Sequence, residues 1–121
     1  MDSKDVSMSS EDFSALGEDF VTPPGHIRFR AKKLFQECGE IADGAIAYLQ
    51  PGGGGPQAKH THEKDHLFIV VRGAARILLG DEIKILRKNE SFVVKGSIPH
   101  AVWNDTDGET VMIGLTLKKS L

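Results

Sequence analysis

From position 27 onward the chain alternates apolar and polar residues in short runs. Ile27, Phe29 and Ala31 interleave with His26, Arg28 and Arg30. That period of two puts one face of a strand in a core and the other in water. The same reading predicts strands over 41–49, 58–62, 66–71, 74–79, 82–86, 92–94, 100–103 and 110–117. Gly80-Asp81 reads as a two-residue hairpin turn between two of them. The run Pro51-Gly-Gly-Gly-Gly-Pro56 reads as a loop. It lacks the Gly-Lys-Ser/Thr ending of a phosphate-binding loop, and no helical pattern follows it. Eight or nine short strands without a long helix predict an all-β sandwich or closed barrel. Residues 1–24 show no period and end on Pro23-Pro24-Gly25. They read as a tail, flexible or docked on a partner, with a short helical turn over 12–16. The expected organisation is this tail followed by one domain over 25–121.

The run 66–71 breaks the alternation. Phe68 and Val70 occupy one side, and Leu67, Ile69 and Val71 the other. A strand wet on one face would not be apolar on both. Something therefore covers its outer face: a second subunit, most commonly in a two-fold homodimer, or else the N-terminal tail.

Charge and cysteine content narrow the setting. The formal charge is −2, with no basic stripe of the kind a nucleic-acid surface requires. No window reaches the length of a membrane span or a secretory signal. Neither nucleic acid nor membrane is expected as a partner. The single cysteine, Cys38, lies between Glu37 and Gly39 without a basic neighbour, so it reads as an ordinary residue. A cytoplasmic location is the simplest expectation.

The chemistry concentrates in histidine. Five occur, and three fall within the seven residues 60–66. His60 and His62 are two apart, so on one strand their rings share a face. His66 opens the next strand after a polar turn, and His100 opens a distant one after Pro99. Four imidazoles buried together without partners would be costly, and a metal ion satisfies one nitrogen of each. His60, His62, His66 and His100 are therefore the candidate ligands of one divalent transition metal: manganese, iron, zinc, nickel or copper. Zinc-finger spacing is absent, since no cysteine pair exists. His26 falls outside the cluster. Alternation places Phe68 and Val70 on the side of His66, and Val102 on that of His100. Tyr48 or Gln50 reaches the same pocket depending on register, and Arg76 would meet a substrate carboxylate if it faced inward. Glu63 and Asp65 alternate away from the ligands and read as solvated turn residues, and Trp103 points outward.

These residues resemble the two sequence motifs of the cupin superfamily. Gly54, His60-Thr61-His62, His66 and Gly73 follow the spacing of the first motif, with histidine where most cupins carry a glutamate ligand. His100 and Asn104 fit the second, while Asn89, Lys95 and Ser97 replace its turn residues. The resemblance spans about residues 40–117. It implies a single-domain jelly-roll barrel, usually dimeric. With Asn104 to Asp107, the all-histidine version is similar to small cupins that hold manganese or a like ion on four histidines, which makes manganese or iron the favoured metal.

Four neutral imidazoles leave the full charge on the ion and two adjacent positions for ligands. The expected function is a metal-dependent enzyme on a small oxygenated organic molecule, as an oxidoreductase or dioxygenase. The alternatives are a non-redox isomerase, cyclase or lyase using Lewis acidity, and a non-catalytic module that binds a small molecule or the metal. A full transcription regulator would need a helix-turn-helix, for which the pattern has no place.

Overall fold

A computed structural model of the chain describes residue 13 and residues 15–119. Eight strands follow in order: β1 (Ile27–Cys38), β2 (Ile41–His60), β3 (His66–Arg72), β4 (Ala74–Leu79), β5 (Glu82–Arg87), β6 (Ser91–Val94), β7 (His100–Asn104) and β8 (Thr110–Leu117). All pair antiparallel. The fold is an all-β, single-domain jelly roll closing into a barrel.

Strand β2 organises it. The first half of β2 pairs with β8, and its second half with β7. From there the sheet divides into one arm, β8–β3–β6, and another, β7–β4–β5. β1 runs along the other edge of β2. The two arms face each other across the core. Leu49, Val70, Ala75, Ile77 and Val94 are fully buried there, with Ala47, Leu86, Val102 and Met112 beside them. Each large aliphatic side chain so buried stabilises the fold by about 2 kcal/mol.

The run 51–56 is not the loop expected from its composition. It lies inside the 20-residue strand β2, with Gly53, Gly54 and Gly55 buried. Gly54 pairs with Ile27 on one side and Trp103 on the other. A Cβ there would overlap the Val102 carbonyl and the Trp103 backbone, and the φ of +149° is one that L side chains rarely adopt. The glycines mark close approach of three backbones rather than a turn. This is where β2 passes from one arm to the other.

The described part of the N-terminal segment lies along β1. Arg30 donates to the carbonyls of Phe13 (3.0 Å), Gly17 (3.4 Å) and Phe20 (2.9 Å). Val21 and Ala31 exchange backbone hydrogen bonds, and Gln57 N–H reaches the Gly25 carbonyl at 2.8 Å. The Phe20 ring meets Tyr48 edge-on, 5.6 Å between centroids. Part of the outer face of β2 is thus covered by the protein's own segment. The helical turn expected over 12–16 lies partly outside the described residues, as does the tail before Phe13.

Candidate metal centre and its cavity

Three adjacent strands build one wall of the barrel interior in register. Asp43, Thr116 and His66 form one row across β2, β8 and β3. Ala45, Gly114 and Phe68 form the next, and Ala47, Met112 and Val70 the third. The small residues on β2 and β8 keep the space in front of them open. At Gly114 a Cβ would press on the Phe68 ring at 3.2 Å. The result is a cavity of about 230 Å³. Its walls are largely apolar, from Phe29, Ala47, Phe68, Val102 and Met112 among others. Its polar groups are His26, Asp43, Thr116 and the imidazoles of His60, His66 and His100.

The histidines arrive from different places. His60 ends β2 and pairs in register with His100, which opens β7. Their ring centroids are 4.7 Å apart. His62 was expected on the same strand as His60, but β2 stops at His60 and His62 lies in the turn beyond. It is tethered by its backbone: His62 N–H donates to the Gly96 carbonyl at 2.9 Å. Gly96 is buried, and any Cβ on it would overlap the His62 and Lys64 carbonyls. Asp65 secures the same junction. Its carboxylate accepts the Gly96 N–H at 2.9 Å, and its own carbonyl accepts from Leu117 at 3.0 Å. At 1% exposure, Asp65 is therefore a buried brace and not the solvated turn residue that alternation suggested. The turn packs against the loop before His100, a contact invisible to local pattern. Glu63 is exposed.

The ε nitrogens meet. His62 Nε2 lies 2.9 Å from His66 Nε2 and 3.2 Å from His100 Nε2. One ligand atom from each of His60, His62 and His100 falls within 4.8 Å of the others. The outer nitrogens are anchored. His100 Nδ1 donates to the Ile98 carbonyl at 2.7 Å, which leaves its Nε2 as a lone pair. His66 Nδ1 lies 3.1 Å from the Thr116 hydroxyl.

His62 Nε2 touches two other ε nitrogens at once, which is unsatisfactory for neutral imidazoles. One proton on His62 can serve only one neighbour, and lone pairs are then left facing each other. A divalent cation removes the conflict. Nitrogen ligands about 2.1 Å from one ion stand about 3.0 Å apart at right angles, the separation seen here. The donor set fits a transition metal, as neutral imidazole suits each of the ions expected. Burial, and then the nearby His62 and His100 rings, push the His66 pKa down to about 4. Burial also lowers that of His100, against the opposing Ile98 hydrogen bond. His60 is lowered as well, by desolvation first and then by His100. All three are held neutral, the form that coordinates.

Of the residues placed in the pocket by alternation, Phe68 and Val102 line the cavity. Val70 is fully buried in the core beneath it. Tyr48 and Gln50 do not line it. They occupy the outward side of β2, opposite Ala47 and Leu49, and Tyr48 packs on Phe20. Arg76 also faces away, paired with Asp105 at 3.3 Å on the surface. The register, which sequence left open, decides these positions. His26, Asp43 and Thr116 were missed. Counting back by twos from Leu49 finds Asp43, and counting on by twos from Met112 finds Thr116. His26 precedes β1 and reaches the cavity only because Pro23 to Gly25 folds back over it; its ring rests on Phe29, with centroids 4.6 Å apart.

The family profile described as Cupin_2, cupin domain, matches residues 45–116, which is more than half of the chain. The chain belongs to the cupin family. Over 56 residues this cupin is 36% identical to a mannose-1-phosphate guanylyltransferase of Salmonella montevideo, covering 46% of this chain. It spans only 12% of that relative's length. Similar solved folds include a putative glyoxylate-induced protein from Pseudomonas aeruginosa, with TM-score 0.73, 15% identity, and coverage of 87% of this chain and 40% of that one. A predicted oxalate decarboxylase from Thermotoga maritima gives a TM-score of 0.71 at 9% identity, covering 86% and 94%. The Cupin_2 domain of an XRE-family transcriptional regulator from Enterobacter cloacae gives 0.66 at 20%, covering 75% and 97%. At these identities the structures share a fold with this cupin, and the chemistry must be read from its own site.

Proposed function

We propose that this cupin is a metal-dependent enzyme acting on a small oxygenated organic molecule, as an oxidoreductase of the dioxygenase type. One divalent ion, manganese or iron before zinc, nickel or copper, is held by His60, His62, His66 and His100. The observation that carries this reading is the approach of His62 Nε2 to those of His66 (2.9 Å) and His100 (3.2 Å) at the edge of an apolar cavity. When bound, such an ion supplies Lewis acidity and, as manganese or iron, a redox centre. The chain does the rest. Ile98 and Thr116 fix the rings of His100 and His66, while Phe68, Val102 and Met112 exclude water and hold the apolar part of the substrate.

The test is metal analysis of untagged protein purified without chelator. About one ion per chain is expected, followed by oxygen uptake with a panel of diketones and phenolics. Absence of stoichiometric metal would remove the reading. Metal without oxygen uptake, but with proton exchange into α-keto acids, would favour an isomerase or lyase. The match to a small part of a mannose-1-phosphate guanylyltransferase, and the fold shared with a regulator's domain, support a third reading as a non-catalytic binding module. Binding without turnover would select it.

Assembly as a homodimer and a cytoplasmic setting belong to the same proposal. Ile46, Ile113 and Ile69 align across the outer faces of β2, β8 and β3, and Val71 is 42% exposed beside them. A second copy would cover that strip. Sedimentation equilibrium at micromolar concentration is expected to give twice the chain mass, and a monomer there rejects the dimer. Among the described residues no helix is long and apolar enough to cross a membrane.

A further inference from the structure

The row Asp43–Thr116–His66 places a carboxylate and a hydroxyl on the wall that leads to the histidines. Both Asp43 and Thr116 line the cavity. No lysine or arginine does so among the described residues. Lys33, outside the lining, pairs with Asp43 at 3.8 Å, but its side chain is half exposed and the ion pair is loose. Apart from His26 and the imidazoles of His60 and His100, the remaining walls are apolar. A pocket that takes in a dicarboxylate needs a fixed cation for the carboxylate that lies away from the metal, and this pocket presents an anion instead. We infer that Asp43 is a substrate-contacting, specificity-determining residue: it accepts a hydrogen bond from an O–H of a small, largely apolar molecule that enters uncharged, and it repels molecules that carry a carboxylate.

The substrate class thus becomes hydroxylated neutral compounds, such as phenols or hydroxyketones, rather than oxalate-like dianions. The metal reading of the preceding section is assumed for the full site, although Asp43 and the cavity exist without it. Strands in the row are about 4.8 Å apart, so Asp43 and the His66 strand are separated by roughly 10 Å. A ligand carboxylate even as far off as that strand would be repelled by Asp43, at an effective dielectric near 20, by about tenfold in affinity.

The experiment uses a matched pair, 4-methylcatechol and 3,4-dihydroxybenzoate, which differ by one carboxylate remote from the diol. Dissociation constants are measured by calorimetry on zinc-loaded and on metal-free full-length protein. The wild type is expected to prefer the methyl compound by about tenfold. Asp43→Asn should shrink that ratio to about twofold or less with metal content unchanged, and Lys33→Ala should widen it. Equal binding of the two probes by the wild type would overturn the inference, as would a ratio that Asp43→Asn leaves intact. If Asp43→Asn fails to fold, the direction of the Lys33→Ala change decides alone. A protein that takes up no metal defeats the proposed function; the same ratio, read on the metal-free form, still judges Asp43.

Discussion

Two polar clusters sit at opposite ends of β7, one around Asn104 and one around His100, and only the first is closed on itself. The Asn104 amide donates to the carbonyls of Leu49 (3.0 Å) and Gly108 (2.8 Å). Its oxygen accepts from Thr106 N–H, from the Thr106 hydroxyl and from the Thr110 hydroxyl, all within 2.9 Å. Thr110 in turn ties to the Ala74 carbonyl at 3.0 Å. Both amide donors and the amide oxygen have partners in the protein, which is how a buried polar network adds stability. At the other end, among the described residues, His62 Nε2 has the ε nitrogens of His66 and His100 as its hydrogen-bonding neighbours. A motif residue and a motif ligand therefore play opposite parts. Asn104 completes the fold, and the histidines leave it incomplete in a way that a cation completes.

Substitutions at the two ends should separate these roles. The largest effect is expected from His62→Ala, which removes the central nitrogen of the cluster. Metal affinity, measured by competition with a chromophoric chelator, should fall by more than about 100-fold, beyond what loss of an outer-shell partner typically costs. Stability of the metal-free protein should hold or rise, because the facing lone pairs are relieved. A variant that binds metal as tightly as the wild type would erase the contrast between the two ends.

Asn104→Ala should do the reverse. Removing the side chain that bonds the Leu49 carbonyl and the Thr106 N–H is expected to cost about 2 kcal/mol in urea unfolding, with metal stoichiometry preserved.

Acid sharpens the comparison further. His66 titrates near 4 in the fold, against about 6.5 for an unfolded histidine, because burial and the adjacent rings oppose its charge. Between those values the unfolded chain binds a proton that the folded chain does not. Stability of the metal-free protein should be full above about pH 6.5 and decline as pH falls toward 4, with the lowered His60 and His100 acting in the same direction. Metal affinity at His66 should fall only at the acid end of that window, as pH approaches 4, since protons and the ion compete for the same nitrogen in the folded chain. Thermal melts from pH 7.5 to 4.5, with and without added zinc, would reveal it. A flat profile without metal would mean that the rings are not held neutral by burial.

The smallest effect is assigned to Arg76→Ala. Its pairing with Asp105 is at the surface, so a change within about 0.5 kcal/mol is expected, with no effect on metal or ligand binding. Measurable loss of ligand binding would place Arg76 in the pocket after all.

By itself the sequence determined the strand class, the positions of most strands and the histidine cluster. Periodicity of two and turn residues are local properties, and they survive being read without neighbours. Phe68 and Val102 followed from the same parity. What only the tertiary structure decided is everything that depends on which strands meet. Gly53, Gly54 and Gly55 read as a loop because nothing local says that other backbones will press against them. Asp65 reads as solvated because Gly96, which its carboxylate holds, is 31 residues away. Tyr48 and Gln50 were placed in the pocket, and Asp43 was passed over, because one step of register exchanges the inside of a strand for its outside. That register is fixed by pairings such as Asp43 with Thr116 and Thr116 with His66, which join residues far apart in the chain.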